Sequence, residues 1–340
     1  MCSDNRNRGL FRPPALKRGD CIALAAPARW MDFTEVEPFI RWLETEGFNV
    51  RCSWGINCRH HQYSGRDDER ARAFQELLDD PGVRAIVCLR GGYGTVRIID
   101  QLDWTTYKHQ PKWVVGYSDI TVLHAHVHQL GFRSMHAAMP VQFTAAEITT
   151  PSAGTDLSVP RRTETDMPAQ HPDAGGVPAH WRAWLDQLKA TDHHESHDWS
   201  YFSWSERCHV ARPGLLDGLL VGGNLSVLYG LLGSQSFPDL KGKILFLEDV
   251  DEYLYHIDRM MTALKRAGML EGLGGLLIGD FTDMKDHSIP FGSTWEEIIM
   301  ESVSSYNYPV IFGVPAGHGA ENYPLEMGIK LRSMIQNKRT

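Results

Sequence analysis

Short apolar runs and longer amphipathic stretches alternate along the first 130 residues of the chain. The apolar runs predict buried strands at residues 21–26, 48–52, 85–89 and 113–115. The stretches with apolar residues on one helical face predict helices at residues 34–46, 67–78, 96–102 and 120–130. Strands separated by helices are typical of a parallel α/β sheet.

The pattern changes after this region. Residues 144–179 are rich in Pro, Thr, Ser, Ala, Asp and Gly and show little periodicity, which predicts a long loop. A second folded unit begins near Cys208, with predicted strands at 244–247, 275–278 and 310–312 and a helix at 255–267. We therefore predict three segments. They are an N-terminal α/β domain over 1–145, a low-order linker or insert over 146–206, and a C-terminal domain over 207–340.

The net charge and the composition of the chain argue against some classes of function. Lys and Arg total 34 and Asp and Glu total 42, a net charge of −8, so the overall field does not favour nucleic acid or an anionic membrane. No apolar run approaches the roughly 20 residues that span a bilayer, and no signal peptide is evident. The six cysteines form no CxxC pair, which is typical of free thiols in a reducing cytoplasm.

Ser118 lies between the strand at 113–115 and the helix at 120–130. A serine at such a turn is close to the free N–H groups and the dipole of a helix N-terminus, which favour a developing negative charge. The alternative is a purely structural N-cap. The pattern differs from the G-x-S-x-G elbow because Ile120 occupies the place of the second glycine.

A glycine-rich turn, RGGYG at 90–94, follows the strand at 85–89. Its glycines allow a ligand to approach the backbone N–H groups, as in an oxyanion hole. A tight turn without a ligand is one alternative. Nucleotide-phosphate binding is another, but the chain has neither G-x-G-x-x-G nor a Walker lysine at this turn.

Glu248 and His318 are two further candidates. Glu248 ends an apolar strand, where a buried carboxylate needs a partner such as a catalytic histidine. His318 is flanked by glycines in a loop after the strand at 310–312. The alternatives are a solvated strand end for Glu248 and a surface turn for His318.

His193, His194 and His197 suggest a metal site. Their spacing, HHESH, does not place two imidazoles one helical turn apart with a glutamate between them, as H-E-x-x-H does. We therefore expect no metal site, and we expect no cofactor.

Seven separate motifs occur in order along the chain. They are DCIALAAP (20–27), RGGYG (90–94), VGYSDIT (115–121), HAAMP (136–140), GGNL (222–225), LEDVD (247–251) and GVPAGHGAEN (313–322). Together they resemble the LD-carboxypeptidase family of serine peptidases, which includes murein tetrapeptide carboxypeptidases and microcin-immunity peptidases. The resemblance covers nearly the whole chain except residues 145–205.

The resemblance implies a Ser-His-Glu triad. Ser118 would be the nucleophile, His318 the base and Glu248 the residue that orients the base. It also implies an oxyanion hole made by the backbone N–H groups of Gly92 and Asp119, with Gly91 as the alternative to Gly92. The implied fold is a Rossmann-like parallel-sheet α/β domain and a mixed β/α domain, with the active site at their interface and a homodimeric assembly.

The resemblance further implies a substrate. The murein enzymes release terminal D-Ala from a cytoplasmic tetrapeptide by cutting an L,D amide bond, a step of peptidoglycan recycling. Residues 90–104 are more similar to those enzymes than to the microcin-immunity branch. Arg90 is a candidate for binding the terminal carboxylate, with a structural salt bridge as its alternative. A microcin-type peptidase or amidase and a non-catalytic ligand-binding protein are the competing functions.

Overall fold

Two six-stranded sheets with flanking helices form the described part of the protein, which in this computed structural model comprises residues 10–143, 177–191 and 196–337. The strands are β1 Cys21–Ala25, β2 Asn49–Cys52, β3 Val83–Cys88, β4 Trp113–Gly116, β5 Ser134–His136, β6 His209–Arg212, β7 Gly214–Asn224, β8 Ile244–Val250, β9 Gly275–Thr282, β10 Val310–Phe312, β11 Leu325–Met327 and β12 Lys330–Ile335. The helices are α1 Glu37–Thr45, α2 Asp67–Asp79, α3 Thr105–His109, α4 Thr121–Gln129, α5 Ala179–Lys189, α6 Leu225–Gly230, α7 Leu254–Arg266 and α8 Trp295–Ser302. No helix among these residues is long and apolar enough to cross a membrane.

The first sheet has the order β11-β5-β4-β3-β1-β2. Its strands β1 to β5 are parallel, as the alternating pattern predicted, and they carry helices in their connections. The predicted helix at 96–102 is wrong, because two 3₁₀ turns, Thr95–Arg97 and Ile99–Gln101, occupy the segment. A segment of this length gains too few hydrogen bonds to offset helix nucleation without strong packing.

The second sheet has the order β12-β7-β8-β9-β10-β6. Strands β7, β8, β9 and β10 are parallel, and β12 and β6 pair with them antiparallel at the two edges. A first sheet whose strands β1 to β5 are parallel and a second sheet of mixed direction confirm the predicted α/β fold class. The carboxyl ends of β4 and β8 both carry candidate residues, namely Ser118 and Glu248.

The two units are joined through β11. This strand comes from the C-terminal part of the chain but pairs antiparallel with β5 of the first sheet. Its Glu326 is buried and accepts hydrogen bonds from Arg12 Nε at 3.0 Å and Arg133 Nη1 at 2.9 Å. These contacts fix the end of the loop that contains His318 to the first sheet.

Part of the segment at 146–206 is ordered. Helix α5 buries Trp181, Trp184, Leu185 and Leu188 in the core of the first sheet. The prediction of low order is therefore wrong for residues 179–189, where these four residues follow the i, i+3, i+4, i+7 spacing of an amphipathic helix. Residues 144–176 and 192–195 lie outside the described residues.

Candidate active site

Ser118 occupies a sharp turn between β4 and α4. Its φ is +61°, which is uncommon for a residue with a side chain. The 3₁₀ turn Ser118–Ile120 follows and leads directly into α4. A strained serine between a strand and a helix is the geometry of a nucleophile elbow, although the G-x-S-x-G sequence is absent.

The glycine-rich turn lies against this serine. A Cβ atom at Gly91 would come within 2.9 Å of Ser118 Cβ and 3.0 Å of Ser118 Oγ, so only glycine fits there without displacing the serine. Gly92 has a φ of +104°, a backbone conformation that residues other than glycine rarely adopt. The fold thus brings the turn at 90–94 directly to Ser118.

The two residues predicted to form the oxyanion hole line the same cavity. Gly92 and Asp119 both line a cavity of about 460 Å³, together with residues of α4 and α6. Asp119 is the second residue of the 3₁₀ turn, where N–H groups have no partner within the helix. Its buried carboxylate accepts hydrogen bonds from Thr95 N at 2.9 Å and Thr95 Oγ1 at 2.7 Å, which fix the residue. Burial raises the pKa of Asp119, and the bonds from Thr95 oppose that effect.

Glu248 and His318 form a hydrogen-bonded pair. Glu248 is fully buried in β8, and His318 Nδ1 donates to its Oε2 at 2.7 Å. Burial disfavours the imidazolium, but the hydrogen bond and charge of Glu248 outweigh this effect and raise the pKa of His318. Burial also opposes ionisation of Glu248, yet the two imidazoles beside its carboxylate, those of His136 and His318, lower its pKa to about 2. Glu248 is therefore ionised near neutral pH, and its negative charge favours the protonated form of the His318 imidazole to which it is hydrogen-bonded.

The glycines that flank His318 are required by close contacts. A Cβ atom at Gly317 would lie 3.0 Å from Glu248 Cβ. A Cβ atom at Gly319 would lie 2.5 Å from Asp280 Oδ2, which also accepts the Gly319 N–H at 3.1 Å. Burial raises the pKa of Asp280 to about 6, against the effect of that N–H. The AGHG sequence therefore allows the imidazole loop to pack directly onto the ends of β8 and β9.

His318 also reaches the serine turn. Its ring packs against that of Tyr117, with ring centroids 4.7 Å apart, and Tyr117 immediately precedes Ser118. Within the described residues, no hydrogen bond joins Ser118 Oγ to His318 Nε2. Such bonds are often long without substrate and shorten in the substrate complex. The structure thus brings the three predicted residues to one junction, and their catalytic roles stay a prediction.

Arg90 is half-buried beside the same turn. Its Nη1 donates to the Trp30 carbonyl at 3.2 Å, and no salt bridge involves Arg90 in the part of the chain that the structure describes. Burial and the nearby positive charge of Arg29 both lower the pKa of Arg90. A guanidinium group without a carboxylate partner can bind the carboxylate of a ligand. The alternative of a structural salt bridge is therefore not observed.

Of the three histidines considered as a metal site, the structure describes His197. The described residues contain no group of three His, Cys, Asp or Glu side chains that could hold a metal ion. His197 packs on Tyr201 with ring centroids 4.2 Å apart, and its backbone bonds to β12. His193 and His194 lie outside the described residues.

Sequence reasoning gave no role to His136. This histidine ends β5 and is fully buried, with its Nε2 at 4.0 Å from Glu248 Oε1. It belongs to the HAAMP motif, but one buried histidine on a strand gives no sequence signal of what it faces.

A larger cavity, of about 830 Å³, shares only Asp280 with the site and contains none of the three predicted catalytic residues.

Known proteins resemble the chain in both halves. Residues 22–137 match the family described as LD-carboxypeptidase N-terminal domain, and residues 217–332 match the LD-carboxypeptidase C-terminal domain. A probable murein peptide carboxypeptidase of Bacillus subtilis is 30% identical, over 94% of this chain and 90% of that protein. A murein tetrapeptide carboxypeptidase of Pseudomonas aeruginosa is 28% identical, over 88% of this chain and 89% of that protein.

A solved structure has the same fold. The crystal structure of muramoyltetrapeptide carboxypeptidase from Oxalobacter formigenes superposes with a TM-score of 0.72 at 24% identity. The match covers 93% of this chain and 96% of that one. Both sheets therefore have counterparts in a protein of known structure.

Proposed function

Because the chain belongs to the LD-carboxypeptidase family of serine-type carboxypeptidases, we propose that it releases terminal D-Ala from murein tetrapeptide by hydrolysing the L,D amide bond. One observation carries the proposal. It is the 2.7 Å hydrogen bond between His318 and the buried Glu248, next to the strained turn of Ser118. The names of the two murein carboxypeptidase relatives support the choice of substrate.

In the proposed mechanism, Ser118 Oγ attacks the carbonyl carbon of the scissile amide. His318 Nε2 takes the serine proton, because Nδ1 already donates to Glu248. The N–H groups of Gly92 and Asp119 stabilise the negative oxygen that forms. His318 then gives its proton to the amine of D-Ala, the C–N bond breaks, and an acyl-serine remains. His318 activates water to hydrolyse that ester, which frees the tripeptide and restores Ser118.

The cellular role, the compartment and the oligomeric state are also proposed. We infer a role in peptidoglycan recycling in the cytoplasm and a homodimeric protein, both from the resemblance to the family. Light scattering on the purified protein measures the oligomeric state, and a mass equal to one 38.4 kDa chain would contradict the dimer.

Product analysis tests the proposed reaction. Purified protein is incubated with murein tetrapeptide, with the same peptide ending in L-Ala, and with a peptidyl-nucleotide conjugate. The expected result is tripeptide plus free D-Ala from the first substrate alone, identified by mass spectrometry and chiral chromatography. Cleavage of only the conjugate would favour a microcin-type peptidase, and cleavage of none would favour a ligand-binding role.

Replacing Arg90 with alanine tests the proposed carboxylate site. We expect KM for tetrapeptide to rise about 10- to 100-fold with little change in kcat, because a charge-assisted hydrogen bond contributes about 1.5–3 kcal/mol. For a tetrapeptide with a C-terminal amide, KM should be the same in the variant and in the wild-type protein, because that substrate has no carboxylate for Arg90 to bind. Arg84→Ala, at the exposed start of β3, is the matched control. Equal effects on the acid and the amide would show that Arg90 does not bind the carboxylate.

A further inference from the structure

His136 connects the two sheets at the candidate site. It comes from the first sheet, where it pairs with Gly116 of β4, two residues before Ser118. Its Nε2 faces Oε1 of Glu248 in the second sheet at 4.0 Å, and both side chains are fully buried. His318 occupies only the other oxygen, Oε2.

The atoms that face each other lack partners. Neither ring nitrogen of His136 nor Glu248 Oε1 has a hydrogen-bond partner within the described residues. Buried polar atoms without partners are rare, because they lose their hydration without replacement. An approach of about 1 Å would bring Nε2 and Oε1 to hydrogen-bond distance. Tyr117 and Phe246 pack edge to face on the His136 ring, with centroids 5.7 and 5.1 Å away, and limit its other orientations.

We propose that His136 is a positioning residue that donates an N–H from Nε2 to Oε1 of Glu248. The carboxylate is then held by two imidazoles, His318 from the C-terminal loop and His136 from the first sheet. The inference deepens the proposed function and rests on it for its catalytic consequence. His136 is too deeply buried to touch substrate, so it acts through Glu248.

The second imidazole sets how strongly Glu248 attracts the proton of His318. A carboxylate whose charge is shared between two donors attracts each of them less than one that serves a single donor. Loss of His136 therefore raises the pKa of His318. The other ionisable groups that face Glu248 or His136 remain in place in such a variant, and they are Tyr117, His124, Asp249 and Asp280.

Titration of His318 in variants of the full chain tests the proposal. His136→Phe removes the N–H, and His136→Gln keeps an amide N–H at the reach of Nε2. The protein carries ¹³C-labelled histidine, and the His318 signal is the one that His318→Gln loses. Trp181→Ala is the control, since it removes a fully buried side chain from the core where α5 packs on the first sheet, away from Glu248.

We expect the pKa of His318 to rise by about 0.5–1 unit in His136→Phe and to return toward the wild-type value in His136→Gln. With tetrapeptide, kcat should fall about 10- to 100-fold with KM unchanged in His136→Phe, because Glu248 is less well placed. Trp181→Ala should lower Tm and leave the pKa unchanged. If His136→Phe does not fold, His136→Asn takes its place, because its shorter amide cannot reach Oε1.

An unchanged or lowered pKa of His318 in these variants would overturn the proposal. A loss of Tm alone would give His136 a structural role only, which also overturns it. The titration of His318 uses no substrate, so it does not depend on whether the protein has the proposed activity. If the wild-type protein released no D-Ala, the proposed function would fail, and the titration would still decide the role of His136.

Discussion

Alanine in place of Ser118 should lower kcat/KM for D-Ala release from tetrapeptide by about 10⁴-fold or more, since the attacking oxygen is lost. Alanine tolerates a φ of +61° no worse than serine does, so the turn should keep its shape. The N–H groups of Gly92 and Asp119 remain, so a small residual rate above that of water is expected. A coupled assay for free D-Ala measures the rate.

The control for this variant is Ser304→Ala. Ser304 is an exposed serine that donates only to the Glu301 carbonyl, so its loss should leave kcat/KM unchanged. Circular dichroism melting should give the same Tm for both variants within a few degrees. If Ser118→Ala kept more than about a tenth of the wild-type rate, Ser118 could not be the nucleophile.

Replacement of Glu248 with glutamine should have the second-largest effect, a fall in kcat of about 10⁴-fold. The amide has nearly the shape of the carboxylate, but it lacks the charge that fixes the tautomer of His318 and stabilises its protonated form. That charge is also what raises the pKa of His318. The base works only when neutral, so the acidic limb of kcat/KM should move to lower pH in the variant.

A surface pair in the same protein provides the matched control. Glu252 accepts a hydrogen bond of 2.7 Å from His256 Nδ1 in a partly exposed position outside the site. Glu252→Gln should change neither the rate nor the pH profile. A Glu248→Gln variant with the wild-type profile would show that Glu248 does not act on the catalytic base.

The sequence predicted the elements that carry Ser118 and Glu248 because local patterns determine them. The apolar run at 113–115 and the amphipathic stretch after it define the turn of Ser118, and β8 follows from the run at 244–247. The glycines around His318 were visible in the sequence, but the reason for them was not. The contacts of Gly317 with Glu248 and of Gly319 with Asp280 exist only after folding.

Features that depend on contacts between residues far apart in the sequence could not be predicted from the sequence. Strand β7 was not predicted, because its glycines are unfavourable in an isolated strand. In the sheet they are needed, since a Cβ atom at Gly222 would lie 2.0 Å from the Phe246 carbonyl oxygen of the neighbouring β8. The pairing of β11 with β5 joins residues about 190 positions apart, and it brings His136 to the junction with Glu248.

The central claim, that Ser118 and His318 act as one unit across the two sheets, is tested most directly by a double-variant comparison. The rates of D-Ala release are measured for Ser118→Ala, His318→Ala and the combined variant. Residues that act as one unit give non-additive effects, so the double variant should be no slower than either single variant. Losses that multiply in the double variant would show that the two residues act independently, and would contradict the account.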